Sequence, residues 1–241
     1  MKNYTYLLLL LSLPILGQDS PQLKLNLKKG EVYHTTITSI NPNSLTKETT
    51  NHEIFTVKEA DQNEFLVELE ISKIVIKTNN NGKPVNYDSS KNEAQMSPAE
   101  KALHSRIKPA LNTVVSENIN RQGLFSNRKR VSGQLNAQMA SQKSNLIQLP
   151  NTPISIDSTW TQDNLNGNIE IQYTYLVTNI NATTVYLECL GIPKSGLKGT
   201  VEGKIELDRK TGIPFKKDMK LDLDLNGQIL KSDITITMNK Q

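Results

Sequence analysis

Apolar residues follow three different spacings along this chain of 241 residues, and each spacing predicts a different structure. The first is a compact apolar stretch, Tyr6 to Leu16, which follows Lys2 and gives way to small and polar residues. That layout is typical of a secretory signal peptide. The stretch of about eleven residues is shorter than the roughly 20 that cross a bilayer as a helix. We therefore expect residues 1–18 to be a removed signal peptide, and residues 19–241 to contain no integral membrane segment.

The second spacing is the alternation of apolar and polar residues that half-buried strands have. It begins at Leu23, Leu25 and Leu27, and Val32–Ile40 is rich in β-branched side chains that favour strands. Lys29-Gly30 between these two runs predicts a turn. Alternation continues over about residues 23–87, which we expect to be strands.

One strand in this region changes parity along its length. Phe65 to Ile71 hold one parity of apolar positions, whereas Ile74 and Ile76 hold the other. A single extra residue explains such a change, so the pattern predicts a β-bulge near Ser72-Lys73 that would curve the sheet. The run Asn79 to Gly82 then predicts a hairpin turn.

The third spacing is helical and covers about residues 97–147. Ser97 and Glu100 flank Pro98 in the arrangement of a capping box, which predicts a helix start. The apolar stripe of this helix comprises Leu103, Ile107, Leu111 and Val114. Because the stripe continues past Pro109, we expect a kinked helix. A second helix is predicted from Val131, Leu135 and Met139.

Strand patterns return over about residues 153–238. Turns are predicted at Asn166-Gly167, Gly191, Asp208 to Gly212 and Asn226-Gly227. A two-residue turn at Asn226-Gly227 would fix the register of the last hairpin. On one face it pairs Leu223 with Leu230, Met219 with Ile234 and Phe215 with Met238. On the other face it pairs Asp222 with Lys231 and Lys220 with Asp233.

These elements together predict a single α+β domain over residues 19–241. Hydrophobic residues make up 36% of the chain, so we expect a small hydrophobic core. A small core favours an antiparallel sheet with one solvent-exposed face over a parallel sheet that is covered on both faces. We expect a curved, mainly antiparallel, half-barrel-like sheet with the central helical insertion packed on one face.

Cysteine and histidine usage limits the possible chemistry. The only cysteine, Cys189, excludes an intramolecular disulfide, and its apolar surroundings predict an inert, half-buried thiol. No cysteine stands at the junction that follows the leader, so we expect a soluble exported protein rather than a lipoprotein. The three histidines, His34, His52 and His104, have no companions at ligand spacing, and we predict no metal site and no cofactor.

Two pairs of carboxylates lie two residues apart on predicted strands and therefore on one face. They are Glu68 with Glu70, and Asp222 with Asp224. Such pairs suit glycoside hydrolysis. However, the predicted cross-strand partner of Asp222 is Lys231, so we favour the interpretation that these carboxylates are ordinary charges on the solvent-exposed face of the sheet. No nucleophile elbow, phosphate loop or calcium loop is present in the sequence. We predict no catalytic residue and a protein that is not an enzyme, with a hydrolase as the least favoured alternative.

The densest basic cluster comprises Arg121, Arg128, Lys129 and Arg130. We interpret it as a solvated loop between helices, with the anionic surface of a bacterial envelope as the alternative partner. Nucleic acid is not expected, because the chain is predicted to be exported. Lys and Arg exceed Asp and Glu by only 28 to 24, which indicates no particular polyanion.

Three segments resemble a family of exported Bacteroidetes proteins of unknown function. They are Leu27 to Tyr33, Pro150 to Trp160, and Gly203 to Pro214. The last of them, a strand that ends in Asp208-Arg209-Lys210-Thr211-Gly212-Ile213-Pro214, also resembles hairpins of periplasmic lipoprotein carriers with a half-barrel fold. This resemblance implies a periplasmic or extracellular location and a curved sheet.

The favoured hypothesis is a protein that binds a lipid, a lipid-linked group or a lipoprotein tail in the concave face of the sheet. The alternative is a structural or protein-interaction module whose core is filled by its own side chains. An internal void of roughly 300 Å³ or more would favour binding. The sequence identifies no ligand-binding residue and does not predict the oligomeric state.

Overall fold

The computed structural model describes residues 20–43, 45–80, 82–133, 145–166, 169–194, 196–225 and 227–241. The predicted signal peptide therefore lies outside the described residues, as do Leu135 and Met139 of the second predicted helix. The elements, in chain order, are β1 (Val32–Ile40), β2 (Thr46–Ala60), β3 (Glu64–Asn80), β4 (Lys83–Asp88), a 3₁₀ turn (Glu93–Gln95), α1 (Pro98–Ile107), β5 (Val114–Asn120), β6 (Phe125–Ser132), β7 (Thr159–Asn166), β8 (Ile169–Ile180), β9 (Thr184–Pro193), β10 (Lys198–Asp208), β11 (Pro214–Leu225) and β12 (Gln228–Lys240).

All of these strands belong to one antiparallel sheet. Its order is β6-β5-β3-β2-β1-β12-β11-β10-β9-β8-β7, and β4 pairs with the end of β3 off this path. The sheet is curved and unclosed. In this strand order, β1 to β6 of the N-terminal half form one lateral half of the sheet, and β7 to β12 of the C-terminal half form the other. The two halves meet where β1 pairs with β12.

The bulge and the last hairpin have the predicted registers. In β3, the partner of Glu53 is Ile71 and that of His52 is Lys73, so Ser72 is the extra residue. In the last hairpin, pairing runs from Lys216 with Thr237 to Leu225 with Gln228 and includes all four predicted pairs within that range. An ion pair of 2.7 Å joins Lys231 to Asp222 on the exposed face, as the register requires.

The helical insertion is much smaller than predicted. The capping box at Ser97 and Glu100 is present, and α1 begins at Pro98. However, α1 ends at Ile107, and Val114 opens β5, so the kinked helix was a wrong prediction. Pro109 ends the helix because its ring cannot continue the backbone hydrogen bonds.

Two further predictions from spacing were wrong. Val131 belongs to the edge strand β6 and its side chain is 55% exposed, so an apolar position on this strand was mistaken for a helical one. Gly191 is not in a turn but inside β9, where it lies opposite Tyr173 and Val201. A side chain at Gly191 would collide with the ring of Tyr173, so the glycine provides space and not a bend.

The leucines at 23, 25 and 27 are buried as their alternation predicts, but their segment is not a strand of the sheet. All three are at most 3% exposed. The backbone N–H of Leu25 donates to the carbonyl of Arg121, and that of Asn26 to the carbonyl of Thr211. These acceptors belong to turns in different halves of the sheet. Residues 20–28 therefore cross the inner face of the sheet and do not add a strand to it.

A second segment, residues 145–157, covers the same part of the inner face. Its buried side chains are Leu146, Ile147, Leu149 and Ile154. The backbone N–H of Ile154 donates to the carbonyl of Pro21, so the two crossing segments also contact each other. They pack against inner-face side chains of both halves of the sheet, including Phe55, Phe65, Val177 and Leu207. This part of the molecule contains the main hydrophobic core.

Candidate ligand-binding site

The inner face of the sheet has two parts that differ in how well they are covered. The filled half is the part that residues 20–28 and 145–157 cover. The open half lies beyond these segments, toward the β11–β12 turn, where a small second core of Ile171, Val201 and Leu223 is bordered by apolar side chains that are only partly buried. These side chains comprise Ile37, Tyr173, Met219, Leu221, Leu230, Ile234 and Ile236. Solvent therefore reaches apolar side chains on this part of the inner face.

Lys217 lies at the boundary between the two halves. It shares the inward parity of Phe215 and Met219 on β11, and its cross-strand partners are Ile205 and Ile236. Only 8% of Lys217 is exposed. Within the described part of the chain, no hydrogen bond or ion pair reaches its ammonium group. Burial among apolar neighbours lowers the pKa of Lys217 to about 8.

The titratable group recorded beside this amine, the Cys189 thiol, is neutral at pH 7. Burial raises the pKa of the Cys189 thiol to about 11, although the nearby Lys217 opposes that shift. Burial likewise raises the pKa of Tyr173 to about 12 and that of Tyr175 still further. The predicted inert thiol is thus consistent with the structure, because Cys189 is only 6% exposed.

Aromatic rings form one wall beside this thiol. Tyr175 pairs with Cys189 across β8 and β9, and its hydroxyl donates to Oε1 of Gln162 at 3.2 Å. The ring of Tyr175 stacks on Trp160 at 5.2 Å and on Tyr173 at 6.2 Å between centroids. This row runs from the filled half, at Trp160, to the open half, at Tyr173.

A glycine on the inner face makes the floor of the open half flat. Gly203 lies opposite both Cys189 and Met219, and the thioether of Met219 occupies the space that a side chain at Gly203 would need. The Met219 sulfur is 3.8 Å from the Cys189 sulfur. Met219 is unbranched and adapts readily to an irregular neighbour. The floor therefore combines a flexible apolar side chain with a single buried amine.

A second set of buried charges lies in the filled half. Glu117 is 1% exposed, and its Oε2 is 3.8 Å from a guanidinium nitrogen of Arg128. Asn145 donates to Oε2 of Glu53 at 3.2 Å. Burial raises the pKa of Glu53 to about 7 and that of Glu117 to about 6, with Arg128 opposing both shifts. These groups stabilise one another inside the fold and do not reach the open half.

The predicted basic cluster is divided between different environments. Its residues lie in or next to β6 and not in a loop between helices, which corrects the prediction. Arg121 donates to the carbonyls of Asp61, Gln62 and Leu25, and its guanidinium lies 4.8 Å from the centre of the Phe65 ring. Arg128 turns inward to Glu117, whereas Lys129 and Arg130 are exposed.

The carboxylate pairs lie on the exposed face. Glu68 forms an ion pair of 3.1 Å with Lys58, and Asp222 forms one of 2.7 Å with Lys231. The histidines are far apart in the sheet and helix: His34 contacts Gln241, His52 contacts Thr36, and His104 contacts Tyr87. Over the described ranges, no three His, Cys, Asp or Glu side chains are grouped as metal ligands.

A groove of about 780 Å³ crosses the outer face of β8 to β12. The outward-pointing side chains of these strands form the sides of the groove. The backbone of the paired residues that run across the strands from Cys189 to Ile234 forms its floor. The side-chain lining comprises Thr174, Leu176, Glu188, Leu190, Glu202, Lys204, Asp218, Lys220, Asp233 and Thr235. The volume of the groove is above the roughly 300 Å³ that would favour binding, but the groove lies on the face opposite to the predicted one.

The residues that reasoning from the sequence missed are the inward charges Lys217, Glu53 and Glu117. Each has a parity signal. Lys217 is two residues from Phe215 and Met219, Glu53 is two from Phe55, and Glu117 lies between Val115 and Ile119. In each case a charged residue occupies a strand position whose neighbours two residues away are apolar. This pattern could have identified the three residues.

Comparison with known proteins adds a fold likeness of low similarity. No protein-family model matches the sequence, and no curated protein is significantly similar to it. A crystallised beta-barrel-like protein from Brucella abortus, which represents a domain of unknown function, aligns over 90% of this chain and 100% of its own, with 8% identity and a TM-score of 0.29. No helix among the described residues combines the length and the apolar character needed to cross a bilayer.

Proposed function

We propose that this chain is a binding protein, not an enzyme, and that it holds an apolar ligand or a lipid moiety against the open half of its inner face. The observation that carries the proposal is the group of partly exposed apolar side chains on β1, β8, β11 and β12 that borders the second core. Covering such a surface releases roughly 25 cal/mol for each Å² of apolar area. The crossing segments cover the filled half, and a ligand covers the open half.

The test compares one leucine on each face of the sheet. Leu221 lies on the open half, whereas Leu190, which is 42% exposed, lines the outer groove. The delipidated protein is titrated with the neutral fluorescent probe N-phenyl-1-naphthylamine. We expect Leu221→Gln to weaken probe binding about tenfold, because a polar amide replaces apolar contact area, and Leu190→Gln to leave it unchanged. Absence of probe binding to the wild type, or a loss only in Leu190→Gln, would refute the proposal.

The outer groove favours a second candidate, a protein-interaction module. Four carboxylates and two lysines line the groove, namely Glu188, Glu202, Asp218, Asp233, Lys204 and Lys220. This excess of acid suits a cationic segment of a partner protein. Cross-linking of the full chain in cell extracts, repeated with Glu202→Lys and Asp218→Lys, tests it. Loss of a specific partner in these variants would support the module.

We also propose that the chain is exported and belongs with the Bacteroidetes proteins that share its three motifs. Support comes from the sequence of residues 1–18. Fusion of these residues to a reporter that is active only outside the cytoplasm is the test. Reporter activity that survives replacement of Leu9 and Leu10 by arginine would contradict export through this segment.

A further inference from the structure

Lys217 is a buried cation that the described residues do not neutralise. It is 8% exposed, its cross-strand partners are Ile205 and Ile236, and its ammonium group has no hydrogen-bond or ion-pair partner in the part of the chain that the structure describes. An isolated buried charge is costly, and buried charges in proteins are usually paired. The arrangement therefore needs an anion that the described residues do not provide.

The neighbouring acids face away from Lys217. Asp218 and Glu206 have the exposed parity, and both contact Lys216, at 3.1 Å and 3.8 Å. Glu53 and Glu117 are in the filled half, across β1 and β12, where Arg128 balances them. The titratable group beside Lys217 on the inner face is the Cys189 thiol, whose raised pKa of about 11 leaves it uncharged at neutral pH.

The strip beyond Lys217 is mainly apolar and long. Met219, Leu221 and the buried Leu223 continue the inward parity of β11, and Ile234, Ser232 and Leu230 lie opposite on β12. Ser232 is hydrogen-bonded to Ser39 at 2.7 Å. At about 3.3 Å per residue, the strand from Lys217 to Leu223 spans roughly 20 Å. A flexible hydrocarbon chain fits this strip better than a compact polar anion, because no described inner-face side chain of the strip other than Lys217 is cationic.

We propose that the ligand is a long-chain fatty acid, whose carboxylate pairs with Lys217 while its hydrocarbon chain lies along Met219, Leu221 and Ile234. This inference rests on the proposed function, because it names the ligand class of the same surface. A carboxylate supplies the missing charge, and an ion pair at a site sheltered from water is stronger than one at the surface. Lys217 thereby selects acids over neutral molecules of equal length.

The experiment separates chain binding from headgroup recognition. The delipidated full-length exported protein is titrated at pH 7 with palmitic acid and with hexadecanol, which have the same chain length. We expect the wild type to bind palmitate at least tenfold more tightly. Lys217→Met should bind both equally, at the affinity of hexadecanol, and Lys217→Arg should keep the preference. Lys216→Met, which removes an exposed lysine of the same strand, is the control and should behave as the wild type.

The possible failures are distinguishable. Equal binding of acid and alcohol by the wild type would overturn the fatty-acid inference and leave the proposed function intact, whereas binding of neither would overturn both. Tighter binding of lysophosphatidic acid than of palmitate would replace the carboxylate by a phosphate headgroup and thus overturn the inference. Loss of both ligands in a Lys217→Met protein that is at least as stable as the wild type would also overturn it.

Discussion

At the scale of single residues, the inner face contains three charges where parity calls for apolar side chains. Lys217, Glu53 and Glu117 each replace a core position on a strand. Glu117 and Glu53 lie near Arg128, whereas Lys217 faces neutral groups. The two acids therefore belong to the internal framework, and the lysine is available to a ligand.

The Lys217→Met variant should be more stable than the wild type in the absence of ligand. At pH 7, replacing the buried ammonium with an apolar side chain of similar length should raise the free energy of unfolding by about 1–3 kcal/mol. The pKa of Lys217 is lowered to about 8 from 10.5, so the unfolded state binds more protons between these values. The contribution of Lys217 to the stability of the wild type therefore rises with pH between about 8 and 10.5.

Urea unfolding of both proteins from pH 7 to 10 is the measurement. The stability difference should shrink above pH 8, when folded Lys217 loses its proton. Cys189 lies beside this lysine, and Cys189, Tyr173 and Tyr175 also titrate at high pH. They are present in both proteins, so the difference isolates Lys217. A variant less stable than the wild type at pH 7 would show that the lysine has a stabilising partner.

Glu53 should make the protein less stable as the pH rises from about 4.5 to 7. Burial raises the pKa of Glu53 above its unfolded value of 4.5, so the folded state holds more protons in this range. The free energy of unfolding then falls with pH, by at most about 1.4 kcal/mol per pH unit for one proton. Glu117 adds a contribution of the same sign, and Arg128 opposes both.

Thermal melts of Glu53→Gln between pH 4.5 and 7.5 should show a weaker dependence on pH than those of the wild type. Glutamine keeps the shape of the side chain and an acceptor for Asn145. Glu202→Gln, on the exposed face, is the matched control and should reproduce the wild-type profile. Identical pH profiles for Glu53→Gln and the wild type would exclude this assignment.

At the scale of elements, local signals decide how well each one could be predicted. The last hairpin was predictable because turn residues, apolar parity and opposite charges all indicate one register. The bulge at Ser72 was predictable because it changes the parity of apolar residues. The end of α1 was mispredicted because Leu111 and Val114 suit a helical stripe and a following strand equally well, and Pro109 decides between them.

The cap of α1 offers a test of an element that local sequence specifies. Ser97 accepts a hydrogen bond from the Glu100 N–H, and the Glu100 side chain accepts one from the Ser97 N–H at 2.7 Å. Ser97→Ala should lower the free energy of unfolding by about 1 kcal/mol. Ser105→Ala, in the last turn of the same helix, should cost less than half of this. Equal losses in chemical denaturation would mean that the cap adds no specific stability.

At the scale of the whole molecule, the interior depends on segments that no local pattern identifies as its filling. Alternation placed Leu23, Leu25 and Leu27 in a strand, but only the long-range contacts with Arg121 and Thr211 determine that they cross the inner face. The sequence likewise predicts no ligand-binding residue. The candidate site arises because the crossing segments cover one half of the inner face and leave the other open.

Truncation of one crossing leucine should destabilise the entire sheet. Leu25 is fully buried, so Leu25→Ala should lower the free energy of unfolding by about 2–5 kcal/mol. Leu45 is 75% exposed, and Leu45→Ala is a control with the same chemical change and an expected effect below about 0.5 kcal/mol. Guanidinium unfolding followed by Trp160 fluorescence measures both. A small loss for Leu25→Ala would mean that the segment is dispensable.

The pairing of β1 with β12 also has a consequence for how the protein folds. Tyr33 pairs with Lys240, so the middle of the sheet joins residues that are separated by almost the entire described chain. On each side of this seam, consecutive strands form local hairpins that can close early. Contacts between residues distant in sequence form slowly because a long loop must close first. We therefore expect two meandering half-sheets to form independently and to dock last along β1 and β12, after the final strand has been synthesised.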